Sequence, residues 1–284
     1  MRRTFAAVVL WLAVTGVASA QWMGRQTGCY ADQIAANPNR PTVANPADVT
    51  QYGVLELEYG WDHLWPVHEV TQTSTGGLLK FGLLCDIELR WNTTSYLSQT
   101  DVSGTHSTFG GNWLGPQVRF YRQTQHVPSM AISYAVKIPS ASTIDGLGTG
   151  RVDHAVTFLA SKDIAKFHFD ANATELWIGR AGERRFDENQ QLNLAITHGI
   201  AGGLQIQGEL YGDTRLNAMS PGFVSSLWAL SYIVVPRLVV DGGYELGVTA
   251  GGPHRHVFGG LTYSIANLYP GWRHRPRTSA VSHP

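Results

Sequence analysis

Long apolar runs are absent from this 284-residue chain once its first twenty residues are passed, which excludes membrane-spanning helices downstream. Charge is scarce as well: charged residues make up 15% and balance to a net charge of +0. A neutral chain has no basic footprint, so nucleic acid is excluded as a partner. Only two cysteines occur, Cys29 and Cys85. That number excludes a disulfide-dense scaffold, and a metal site would need further ligands. Catalytic signatures are missing too. There is no G-x-S-x-G elbow, and the GLGTG run ending at Gly150 lacks the Lys-Ser/Thr of a phosphate loop.

What is present begins with an export signal. Arg2 and Arg3 precede an apolar stretch, Phe5 to Val17, and Ala18-Ser19-Ala20 forms a small-residue cleavage site before Gln21. The stretch is shorter than the roughly 20 residues a spanning helix needs, so residues 1–20 are expected to be a cleaved signal peptide. The oxidising compartment this implies admits a disulfide between Cys29 and Cys85; their separation alone leaves the pairing open. Residues 21–52 are rich in Asn, Pro and Ala and show no period. They are expected to be a periplasmic lead-in.

From residue 53 to 266 the dominant signal is alternation. In LKFGLLCDIELRWN (Leu79 to Asn92), Leu79 and Phe81 flank Lys80, and Ile87, Leu89 and Trp91 interleave with Glu88, Arg90 and Asn92. Period 2 means strands with one oily and one wet face, and the short break predicts an antiparallel hairpin. The same pattern recurs in Gly53 to Asp62, where Leu55, Leu57, Tyr59 and Trp61 oppose Glu56, Glu58, Gly60 and Asp62, and through Leu204 to Leu210 and Leu238 to Leu246. About twelve such segments are legible. The connections between them alternate long and short, as in outer-membrane barrels with short periplasmic turns and long extracellular loops. Long connections are expected at His63 to Gly76, Ser95 to Gly111 and Pro139 to Arg151; an irregular tail follows at 267–284.

The fold class expected is all-β: a transmembrane, antiparallel, up-and-down β-barrel. The wet faces would line the lumen, which makes Glu56, Glu58, Glu88, Arg90, Arg119, Lys137, His168, Asp170, Glu209, Asp241 and Glu245 the candidate lumen residues. Opposite charges there should pair across strands. Trp65, Phe109 and Leu147 are candidates, by position, for capture of a hydrophobic solute among the loops. Two other chemistries compete. Paired acids such as Glu56 and Glu58 can divide acid and base roles, and His168, Asp170 and Asn172 share a strand face with His198 on the next strand. Two-residue spacing is also what any hydrated wall offers, so no catalytic residue is assigned. His254 and His256, with His63, His68 and His106 in other loops, suit zinc or copper in type. No closed ligand set can be read from their spacing, so no metal and no cofactor is expected.

Taken in order, NRPTVANPADVTQYGVLELEYGW (Asn39 to Trp61), FGLLCDIELRW (Phe81 to Trp91), the Ala135 to Asp153 stretch and the glycine-bearing last strand resemble the outer-membrane transporter family named for a MetA pathway of phenol degradation. The last strand also resembles a barrel-assembly signal, with Gly260, Tyr263 and Ile265, although residues follow it. The resemblance implies a barrel that passes small, often aromatic compounds, and the chain is expected to be a monomeric outer-membrane channel of a Gram-negative cell. Its partners would be outer-membrane lipid, the solute and the barrel assembly machinery. The alternatives left standing are an outer-membrane enzyme acting on lipid or lipopolysaccharide, and a secreted soluble β-sandwich binding protein.

Overall fold

The computed structural model describes residues 33–65, 70–143, 147–214 and 221–269. Its strands are β1 (Val54–Trp65), β2 (Thr71–Leu84), β3 (Ile87–Asp101), β4 (Gly104–Thr108), β5 (Asn112–Tyr121), β6 (Ser129–Ile138) and β7 (Asp153–Ile164). They continue with β8 (Phe167–Gly179), β9 (Phe186–Ala201), β10 (Leu204–Asp213), β11 (Phe223–Val235), β12 (Leu238–Gly247) and β13 (Arg255–Asn267). Neighbours pair antiparallel in chain order except that β3 pairs directly with β5, and β13 returns to pair with β1. The ring therefore closes with twelve strands. β4 hangs outside it, paired to the upper end of β3.

Closure explains why a sheet this large has no exposed edge around the ring: each of the twelve strands has a hydrogen-bonded neighbour on both sides, as a spanning structure requires. One local exception has a visible cause. Pro116 in β5 lacks an N–H, and the β5–β6 ladder jumps from Leu114↔Val136 to Gln117↔Ser133 across it.

The two faces sort as the alternation requires. Tyr59, Trp61, Leu89, Trp91, Leu114, Tyr134, Trp228, Leu230 and Tyr244 are exposed on the outside. The buried set facing inward is largely polar: Glu56, Glu58, Lys80, Glu88, Gln117, Asp170, Asn172, Glu209 and Glu245 among others. A soluble sandwich would bury the oily faces instead; here they are left for lipid. Connections are two residues long after β2, β7, β9 and β11, and longer after β6, β8 and β12. Both the entry to β1 and the exit from β13 lie at the short-turn end.

Three expectations need correction. The polar stretch His63 to Gly76 is not a long loop, because β1 runs to Trp65 and β2 begins at Thr71. The stretch Ser95 to Gly111 contains the end of β3 and all of β4. In both places the strands rise past the apolar belt, where nothing requires an oily face, so hydrophobic alternation stops before the hydrogen bonding does. The third correction concerns the lead-in. Its described part, residues 33–52, is not outside the barrel but inside it, with Ile34, Asn39, Ala44, Ala47, Val49 and Thr50 buried.

Candidate functional site

The lumen is occupied by the chain's own lead-in, which enters at the short-turn end, turns near residues 40–45 and returns to β1. It has no secondary structure, so its backbone donors need partners from elsewhere. The wall supplies them. Glu56 Oε2 accepts from Asn37 N at 2.9 Å; Glu58 accepts from Asn39 N at 2.8 Å and Arg40 N at 3.1 Å. Across the lumen Glu209 accepts from Val43 N at 2.6 Å and Ala44 N at 2.7 Å. On the return limb Asn172 Oδ1 accepts from Asn45 N, Ser161 Oγ from Ala47 N and Glu88 Oε2 from Thr50 N. Hydrogen bonds to charged groups are about twice as strong as neutral ones, so a segment without helix or strand is held in one shape.

Lys80 is the keystone of one side. Register places it directly opposite Glu56 on β1. Its ammonium lies 2.8 Å from Glu56 and 2.6 Å from Glu58, donates to Asn39 Oδ1 at 2.8 Å and also reaches Asn37 O. The side chain is 0% exposed. One cation thus compensates two buried carboxylates and grips the lead-in as well. Arg40 anchors the tip: Nε and Nη2 donate to the two carboxylate oxygens of Asp241 at 3.2 and 3.0 Å. It can lie there because Gly60 and Gly260, paired across β1 and β13, have no side chains; a Cβ at either would sit about 2.5 Å from the guanidinium. Arg119 binds Asp48 of the lead-in and Asp86 of the β2–β3 turn, while Arg90 links Glu88, Gln117 and Asn45.

The lead-in fills much of the lumen at this level. Each strand of the ring places a buried residue inward: Glu56, Lys80, Glu88, Gln117, Ser129, Ser161, Asn172, Asn193, Gln207, Ser231, Val239 and Ser264. Apolar contact adds little, through Ala47 against Ala131 and Leu159, and Val43 against Leu227, Ala229 and Phe258. Nearer the long-loop end the charges of the wall pair with one another. Lys137 meets Asp153 and lies 5.9 Å from the Trp113 ring. His256 bridges Glu245 at 2.7 Å and Asp62 at 3.7 Å, and Tyr211 donates to Glu245 at 2.6 Å.

The eleven candidate lumen residues lie on the inward-facing side of their strands, and Glu56, Glu58, Glu88, Arg90, Arg119, Glu209 and Asp241 bind the lead-in. Lys80, Asn172 and Ser161 were missing from the candidate set. Lys80 was legible as a wet-face residue; its role needed the register. The catalytic grouping does not assemble. His198 faces outward, its ring 4.7 Å from Phe167. His168 contacts Asp163 and Asp170, and Ser161 donates to the same Asp170 oxygen. In that order the carboxylate stands between hydroxyl and imidazole, so the base does not touch the nucleophile. Among the described residues no three His, Cys, Asp or Glu side chains form a metal-binding group; His68 lies outside them.

The proposed capture residues do not form a unit. Trp65 belongs to the outer face, packed on His63 at 4.1 Å, with Trp61 on the same side. Phe109 is exposed beyond β4, and Leu147 is half-buried in the loop between β6 and β7. Cys85 is buried and disulfide-bonded; Cys29, named as its candidate partner, lies outside the described residues, as do residues 1–20 and most of the tail.

Residues 38–265 match the family described as "Putative MetA-pathway of phenol degradation", a span that starts within the lead-in. No curated protein matches the chain. Among solved structures, an outer membrane channel from Pseudomonas putida F1 is similar with a TM-score of 0.61 and 11% identity, over 79% of this chain and 100% of that one. The NanC porin is similar with a TM-score of 0.50 and 10% identity, over 74% and 100%. Likeness at such low identity concerns the fold.

Proposed function

The chain belongs to this phenol-degradation MetA family, and from that premise we propose that it is an outer-membrane channel through which small molecules pass down their gradient. The observation that carries the reading is a closed barrel with an oily exterior and a polar, charged interior, which is the arrangement that lets a hydrated path cross lipid. Residues 1–20 direct export, the barrel sits as a monomer in outer-membrane lipid after insertion by the assembly machinery, and Cys29 pairs with Cys85. The two similar structures, an outer membrane channel and a porin, support the same reading. Aromatic compounds are the solute class suggested by the family description; the lumen itself favours solutes with polar groups.

Two measurements test this. Mature protein in detergent should migrate differently on a gel when boiled and unboiled, because a closed ladder survives until heated. Proteoliposomes should then admit small solutes, phenol among them, faster than empty vesicles. Protein that fractionates as soluble periplasmic material, or vesicles no leakier than controls, would refute the channel.

A further inference from the structure

Resting on the channel reading, we infer that the lead-in, residues 34–51, is a displaceable gate, and that the strip of wall it covers selects for cationic or N–H-bearing solutes. The first half follows from occlusion. Inward residues are buried on every strand of the ring at the level of the lead-in, so the seated segment narrows the path and its departure widens it.

The mode of attachment permits this. The wall binds the segment through polar bonds, backbone N–H groups donated to carboxylates and the ion pairs of Arg40 and Asp48 among them, with clustered apolar contacts at Ala47 and Val43. Carboxylates released from those donors regain water from the lumen, which an apolar seat could not do. The twelve-stranded ladder does not run through the segment and survives its departure.

The second half follows from what is uncovered. Glu56, Glu58, Glu88, Glu209 and Asp241 lose their donors from the lead-in, whereas Lys80, Arg90 and Arg119 remain on the wall. The seat is then acidic on balance, and it has already been shown to accept N–H donors in just these places. Ammonium, guanidinium and amide groups are the chemistry that replaces the departing backbone, and an anionic solute is repelled.

A locked gate tests the proposal. Ala47 and Ala131 are fully buried in one cluster, so the pair Ala47→Cys/Ala131→Cys can tie the segment to β6; Val43→Cys/Ala229→Cys ties it to β11 if the first pair fails to fold or to oxidise. In proteoliposomes the oxidised lock should lower potassium flux at least tenfold below wild type, and reductant should restore it, with wild type under the same reductant as control. In a potassium chloride gradient the reversal potential should report cation over anion selectivity, weakened in Glu56→Gln/Glu58→Gln. A locked protein that conducts like wild type would overturn the gate, and anion selectivity would overturn the acidic strip. If neither wild type nor the reduced variants conduct at all, the channel reading itself has failed.

Discussion

Replacing Lys80 with methionine leaves Glu56 and Glu58 buried without their shared cation. The ammonium lies within 2.8 Å of both carboxylates and is 0% exposed, so no solvent screening softens the loss. Removing one partner of a buried ion pair costs about 3–5 kcal/mol. Two routes relieve that cost: the barrel unfolds, or the lead-in withdraws and water reaches the acids. Withdrawal breaks fewer bonds, because the strand ladder is continuous without Lys80. The equilibrium should therefore shift toward the withdrawn state by roughly two to four powers of ten. In planar bilayers Lys80→Met should show a much higher open probability than wild type, while the boiled-against-unboiled gel shift persists. Adding Glu56→Gln and Glu58→Gln removes the stranded charges while retaining acceptors for Asn37 and Asn39, so the triple variant should return part of the way toward closure. A Lys80→Met protein with wild-type open probability and wild-type melting behaviour would refute the keystone role.

Other substitutions probe separate parts of the argument. At Gly60 the three atoms nearest an added Cβ all belong to the movable Arg40 guanidinium, whereas at Gly260 it also lies 2.6 Å from the Tyr59 carbonyl oxygen. Thermal melts should accordingly find Gly260→Ala more damaging, by about 1–3 kcal/mol, and Gly60→Ala milder; equal effects would refute the glycine seat. Gly115→Ala drives a Cβ to 1.8 Å from the Tyr134 carbonyl oxygen next to the Pro116 gap, so the unboiled gel band should be lost or should convert at lower temperature. Asp241→Asn weakens the two-point hold on Arg40, and single-channel records should show more frequent openings than wild type with an unchanged gel shift.

Most of the barrel was legible in the chain because a strand's side chains alternate between two environments as unlike as lipid and water. Leu55 to Asp62 declares both faces by itself, and the alternation of connection lengths declares that the strands run up and down. Where one environment ends, the legibility ends with it: Thr71 to Gly76 and Gly104 to Thr108 are strands above the apolar belt, wet on both faces, and they read as loop. Trp65 was placed at the mouth by position, whereas its parity with Trp61 and His63 turns it outward.

The place of the lead-in inside the barrel could not be read. Asn37, Asn39, Val43 and Thr50 are held by main-chain N–H groups, which every residue but proline carries, and their partners lie between 19 and 166 residues away. No side-chain pattern records such bonds. The sequence by itself determined the class of fold, a ring of about twelve strands and the wet face of each clearly alternating strand, because those depend on local period. Tertiary structure alone decided that the lumen is filled and that Lys80 locks it, because both depend on which distant residues closure brings to the same height.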